Sequence, residues 1–273
     1  MSGSDTGNGN GNGKSGHRAD LERAAAAPPQ RVISDTLSKP LARRFYKDAS
    51  ASETAPYKIL LDGRPVKTPK KRPLAVPTRA LADAIAEEWQ DQKEFVDPSR
   101  MPLTRFANTA IDAVSETEDA VAADIVAYAG SDLVCYRAET PDELVERQAR
   151  HWNPIIAWAD KALGADFKAV PGVMHVRQPE SALAAVAKAL TPHDAFRLTG
   201  LHVLTTLMGS ALLALAVARG GVTPDAAWAA AHVDEDYQIS LWGEDAEAIA
   251  RRRGRRAEFD AACRWLTLLG PDA

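Results

Sequence analysis

The sequence predicts an α+β protein: a small antiparallel, β-rich N-terminal domain with helices, followed by an all-helical C-terminal domain. Three observations carry that reading. Short apolar runs broken by Pro and Asp-Gly lie between residues 45 and 76, helix-period apolar spacing takes over at Thr78, and beyond Pro141 the chain reads as helix almost throughout. The expected borders are a tail at 1–40, an α+β domain at 41–138 and a helical domain at 139–273. The tail is expected to be disordered. It opens on a Gly/Asn run from Gly7 to Gly13 and has almost no bulky apolar residue with which to offset the entropy of ordering.

In chain order, Phe45-Tyr46-Lys47 opens a polar, strand-like segment and Tyr57–Leu61 forms a second strand. Asp62-Gly63 ends it, a dipeptide that supplies the positive φ angles of a tight hairpin. Short strands at Pro65–Pro69 and Leu74–Val76 follow, at a proline density suited to edges and turns. Thr78 is an N-cap candidate for a helix to about Gln92, along which Leu81, Ile85 and Trp89 recur every four residues. Further helices are expected over Leu103–Val114 and Thr117–Ala129, with Leu133–Tyr136 returning to a sheet. Beyond them come helices over Pro141–Leu163, Glu180–Leu190 and Pro192–Arg219. Gly220-Gly221 stops the last of these. Thr223-Pro224 then starts a helix to about Arg253, and a final one covers Arg255–Leu269.

With 273 residues, 45% of them hydrophobic and 26% charged, the chain is long enough to bury a core without metal or disulfide. The net charge of -4 argues against a nucleic-acid partner. Cys135 and Cys263 lie too far apart in sequence for a zinc knuckle or a redox pair and read as buried thiols of a reducing compartment. Neither a secretory signal nor a transit-peptide pattern is visible near Met1, so a cytoplasmic bacterial protein is expected. The charge-free stretch Leu198–Ala218 could cross a bilayer by length. Its Thr, His, Gly and Ala content favours a buried central helix instead, so no integral membrane protein is expected.

No Gly-x-Ser-x-Gly, His-Glu-x-x-His or paired-cysteine motif is present. His232 and Glu235 stand at a spacing that could place two metal ligands on one helical face, which leaves a metal-dependent hydrolase as a rival reading. A membrane-associated scaffold using Leu198–Ala218 is another. A lone His near a Glu is more often a structural pair, and no cofactor or metal is expected.

The segment His232–Gly243, HVDEDYQISLWG, is the most informative. On a helix, Trp228, His232, Glu235, Ile239 and Trp242 fall on one stripe, with Val233, Tyr237 and Leu241 opposite. A carboxylate inside an apolar stripe is costly unless paired. The stripe is therefore either a core face holding a His–Glu pair or an exposed face that meets a partner protein.

At Asp234–Glu244, DEDYQISLWGE, the chain resembles the signature of the ATP synthase assembly chaperones that act on the alpha subunit. Collinear strings agree: Arg44-Phe45-Tyr46, Leu60–Pro69, Ala84–Trp89, Met101–Thr104 and Asn108–Asp112. The resemblance runs from about Arg44 to Leu269. It implies a non-enzymatic chaperone that binds the unassembled alpha subunit of the F-type ATP synthase head, shields its subunit interface and hands it on to beta. It also implies partner-binding roles for Asp234, Glu235, Gln238 and Trp242, the key acid being Asp234 or Glu235. Trp89 matches a family motif too, but its spacing with Leu81 and Ile85 gives it a structural role. A monomer is expected when no client is bound.

Overall fold

Residues 41–271 are described in this computed structural model, and the expected disordered tail at 1–40 lies outside them. The N-terminal β-unit is built on β2 (Tyr57–Leu61), flanked by β1 (Ala49–Ala51), β3 (Arg64–Pro65) and β4 (Ala75–Val76), all antiparallel to it. Ala49 stands opposite Leu61, Leu60 opposite Pro65, and Tyr57 opposite Val76. Asp62 and Gly63 have φ of 48° and 77°, the pair of left-handed residues that a two-residue hairpin turn requires. The Asp62 carboxylate also accepts the backbone N–H of Lys47 (3.0 Å) and of Asp48 (2.9 Å). Those bonds hold Phe45–Lys47 as an irregular lead-in, not the strand its sequence suggests, and pairing with Tyr57–Leu61 begins only at Ala49.

Helix α1 (Arg79–Gln90) packs on this sheet through Leu81, Ala82 and Ile85, all fully buried. The Thr78 hydroxyl accepts the Leu81 N–H (3.2 Å), as an N-cap does, and donates to the Leu268 carbonyl (2.7 Å) near the far end of the chain. Helix α2 (Pro102–Asp112) has no capping side chain of its own. Glu88 of α1 takes over that task, accepting the N–H groups of Leu103 (2.7 Å) and Thr104 (2.8 Å) and the Thr104 hydroxyl (2.8 Å). After α3 (Glu118–Gly130), Leu133–Cys135 is a 3-10 turn. The strand expected there shrinks to Tyr136–Arg137, paired in parallel with Val170–Pro171.

The helical part comprises α4 (Asp142–Leu163), α5 (Glu180–Leu190), α6 (Ala195–Met208), α7 (Ala211–Ala218), α8 (Pro224–Ala231), α9 (Val233–Trp242) and α10 (Ala246–Leu269). Two expected helices are divided. Pro192–Arg219 breaks at Gly209, whose φ is 64°, and α7 restarts with the Ser210 hydroxyl accepting the Leu213 N–H (3.0 Å). The fully buried Asp132 carboxylate secures the break, accepting N–H groups from Val134 (3.2 Å) and from Leu212 (3.0 Å). The expected helix from Pro224 to Arg253 is interrupted at His232 and again at Gly243, whose φ is 77°. The last helix therefore begins at Ala246, capped by Asp245 through the Ala248 N–H (2.7 Å), and not at Arg255.

Helix α10 is the central beam. Trp265 is fully buried between Phe106 of α2 (ring centroids 5.8 Å apart, edge-on) and Phe196 of α6 (6.1 Å, stacked). Its indole N–H donates to the Phe196 carbonyl (2.8 Å). The approach of α6 to α10 is so close that a Cβ on Gly200 would sit 2.7 Å from atoms of Trp265 and Leu266. The charge-free stretch 198–218 contributes Leu201, Leu204, Leu212, Leu213 and Leu215 to this core, each fully buried. Among the described residues no helix is long and apolar enough to cross a membrane. Cys135 and Cys263 are free and buried, and burial pushes each thiol up to about 12.

Candidate partner-binding site

Helix α9 carries all four residues singled out as partner-binding. It is a ten-residue helix with breaks at both ends, and only Val233 and Tyr237 on it are buried. The buried side is thus the one opposite the expected Trp–His–Glu–Ile–Trp stripe. That stripe is neither a core face nor an exposed face along its whole length. Trp228 belongs to α8 and is 7% exposed, His232 at the junction is 4% exposed, and Trp242 at the far end is 79% exposed. Burial fades along the helix axis as well as dividing across it.

The junction is an aromatic stack. Trp228 lies 3.9 Å from His232 between ring centroids and 5.2 Å from Phe259 of α10. His232 Nδ1 bonds the Trp228 carbonyl (2.8 Å). Burial holds the imidazole below its ordinary pKa, so near neutral pH it is uncharged, with the proton on Nδ1. Nε2 then faces Glu235 at 3.9 Å, beyond hydrogen-bond reach. The His–Glu pair expected from the sequence is therefore not the partnership Glu235 makes.

Four consecutive residues of α9 have separate holds. Asp234 accepts from Nε2 of Gln148 (2.7 Å), a buried amide of α4 whose Oε1 accepts the Ala138 N–H (2.7 Å). Glu235 accepts from Arg255 of α10 (2.7 Å), and Asp236 is ion-paired with Arg252 of α10. The Arg147 guanidinium lies 5.2 Å over the Tyr237 ring. Acids in the first turn also suit the positive end of the helix dipole, where His232 offers no capping side-chain bond. Beyond this anchored half, Gln238 is exposed, Leu241 is 52% exposed, and Ile249, just past the turn into α10, is 40% exposed.

Trp89 is placed elsewhere, on α1 under the β-unit. The Tyr46 hydroxyl donates to its carbonyl (2.7 Å), and the two rings meet edge-on at 5.7 Å. It packs against the core cluster as a partly buried side chain. Among the described residues, no group of three or more His, Cys, Asp and Glu is gathered closely enough to hold a metal ion.

Residues 43–160 match the family described as ATP12 chaperone protein. The solved structure of Atp12 from Paracoccus denitrificans is 44% identical, with a TM-score of 0.79 over 83% of this chain and 98% of that one. The chain belongs to the ATP12 chaperone family. A mutant of the same Paracoccus Atp12p matches equally well, at 44% identity and a TM-score of 0.79. The Atu1473 protein of Agrobacterium tumefaciens is 45% identical, with a TM-score of 0.82 over 92% of this chain and 95% of that chain. This is the family to which the motifs from Arg44 to Leu269 pointed, and its α+β fold with a helical C-terminal part is the one expected. The string at 234–244 that carried the resemblance lies beyond the matched span 43–160. What sequence reasoning missed in this member are Arg252 and Arg255. Their spacing of three puts both on one face of α10, a signal visible only once that face is known to look at α9.

Proposed function

We propose that this ATP12-family chain binds the unassembled alpha subunit of the F-type ATP synthase head and shields the surface that alpha later presents to beta. An isolated subunit exposes apolar area that aggregates, and a chaperone covering it needs a complementary surface but no catalysis. One observation carries the reading: Trp242, a large aromatic at 79% exposure, stands with half-exposed Leu241 at the end of a helix anchored by its other half. A bare tryptophan held on a rigid base is the kind of residue that anchors protein interfaces. In this reading Trp242 and Gln238 meet the client, with Asp234 and Glu235 beside them, while Trp89 supports the fold. The protein works without cofactor, as a monomer in the bacterial cytoplasm. It releases alpha when beta competes with a larger interface, a matter of differential affinity.

Co-expression with the same organism's alpha and beta subunits, each supplied separately, tests the proposal. Soluble alpha recovered on the tagged chain, with beta left behind, is the expected result. Recovery of neither would reject it.

A further inference from the structure

The ties between α9 and α10 distinguish residues that touch a client from residues that aim the helix. Helix α9 packs closely against α4, where Gln148 and Arg147 hold Asp234 and Tyr237, whereas its link to α10 runs through long side chains. Two ion pairs make that link, Arg255–Glu235 and Arg252–Asp236, and both bridge helices that the chain separates by only Gly243, Glu244 and Asp245. Gly243, with φ 77° and ψ −173°, leaves the connection between them conformationally free for other angles. The buried residues of α9, Val233 and Tyr237, sit in its first half, and the two ion pairs to α10 add holds on a different side. Side chains Glu235 and Asp236 are 38% and 42% exposed, and each has its carboxylate engaged by an arginine of α10.

We infer that Arg252 and Arg255 are positioning residues: through Asp236 and Glu235 they latch α9 at the angle at which Trp242 meets the client, and Glu235 and Asp236 themselves do not touch it. This rests on the proposed function only for the identity of the client. The acid at 235 matters for its charge toward Arg255, so exchanging the two charges preserves the latch. A carboxylate that met the client directly would allow no such exchange.

The experiment uses the full chain in four forms: wild type, Glu235→Arg, Arg255→Glu, and the double exchange. Amide hydrogen exchange across Val233–Trp242 reads the latch, and recovery of co-expressed alpha subunit reads function. Exchange in α6 and α10 verifies that each variant is folded. Each single variant is expected to speed exchange in α9 by about fivefold, as loss of an exposed pair and its replacement by like charges implies. Alpha recovery should fall by a similar factor, and the double exchange should return both readouts to near wild type. If single variants leave α9 exchange unchanged, there is no latch and the inference fails. If the double exchange restores exchange but not alpha recovery, Glu235 is itself a contact and the positioning role is overturned. Should wild type recover no alpha at all, the functional reading falls, while the exchange pattern of the same four proteins still decides the latch.

Discussion

The α6–α10 contact and the α9 arm are built from opposite materials. Where α6 meets α10, contact is apolar and so close that Gly200 has no room for a methyl group beside Trp265 and Leu266. Where α9 meets its neighbours, only Val233 and Tyr237 are buried, the other holds are a buried amide, two arginine–carboxylate pairs and a cation over a ring, and the helix ends in an exposed tryptophan. Close packing resists every change of volume but is indifferent to salt and charge. Polar ties are individually weak, adjustable and replaceable. A chaperone needs both, a body that does not yield and an arm that can adapt to a client and let it go.

The largest effect should come from the packed side. Trp265→Ala removes a fully buried ring wedged between Phe106 and Phe196 together with its N–H bond to the Phe196 carbonyl, which should cost about 3–5 kcal/mol. For a chain of this size that is a fall of about 10 °C in a thermal melt. Gly200→Ala sharpens the point because its sign opposes local propensity. In a helix interior alanine normally gains roughly 0.5–1 kcal/mol over glycine. Here the added methyl meets Trp265 and Leu266, and a net loss of about 1–3 kcal/mol is expected. A melt unchanged or raised would show that α6 and α10 can separate freely.

A smaller, pH-dependent effect should appear at Asp132. Burial is the leading cause that raises its carboxyl from the ordinary 3.8 to about 6, against the hydrogen bonds from Ser210, Leu212 and Val134. The folded protein thus holds a proton there that the unfolded chain has released. The stability contributed by this group is complete below about pH 3.8 and is lost as pH rises through about 6. Asp132→Asn, which cannot ionise, should therefore gain on wild type as pH rises from about 3.8 to about 6 and hold that gain above it in paired melts. A constant gap would mean that the carboxylate is ionised at no cost in its cap.

These residues also show why parts of the molecule were legible before the fold and parts were not. The capping bonds of Thr78 and Thr223 and the turn angles of Asp62-Gly63 involve neighbours at most three positions away, so the local sequence carries that part of their meaning, while the longer-range bonds of Thr78 to Leu268 and of Asp62 to Lys47 and Asp48 were not legible. Helices at 142–163 and 180–190 fall where their periodicity places them. The break at Gly209 was hidden because apolar residues continue on both sides of it. What secures it is Asp132, almost 80 positions away. Likewise Arg251 pairs locally with Glu247, as its spacing suggests, but Arg252 and Arg255 reach across to α9. The resemblance at 234–244 pointed to α9, yet it could not say that burial fades along the helix toward Trp242, because helical periodicity describes faces and carries nothing about ends.

The smallest effect on stability should fall on that tryptophan, and this is where the comparison is most exposed to failure. Trp242 is larger than most core residues, so its removal from a packed site would rank with Trp265. At 79% exposure it has little burial to lose, and Trp242→Ala should change stability by no more than about 0.5 kcal/mol. Recovery of co-expressed alpha subunit should nonetheless drop sharply, because truncating an aromatic interface anchor costs about 2 kcal/mol or more of binding. A matched melt with lost recovery would separate the two regions as argued: Trp265 holds the molecule together and Trp242 is spent on the partner. A lowered melting temperature would instead place Trp242 against a surface of its own chain and return the arm to the core. An unchanged melt with unchanged recovery would move the client to another surface, where Val173 and Met174, 93% and 79% exposed in the segment between Val170–Pro171 and α5, are the next apolar pair to truncate.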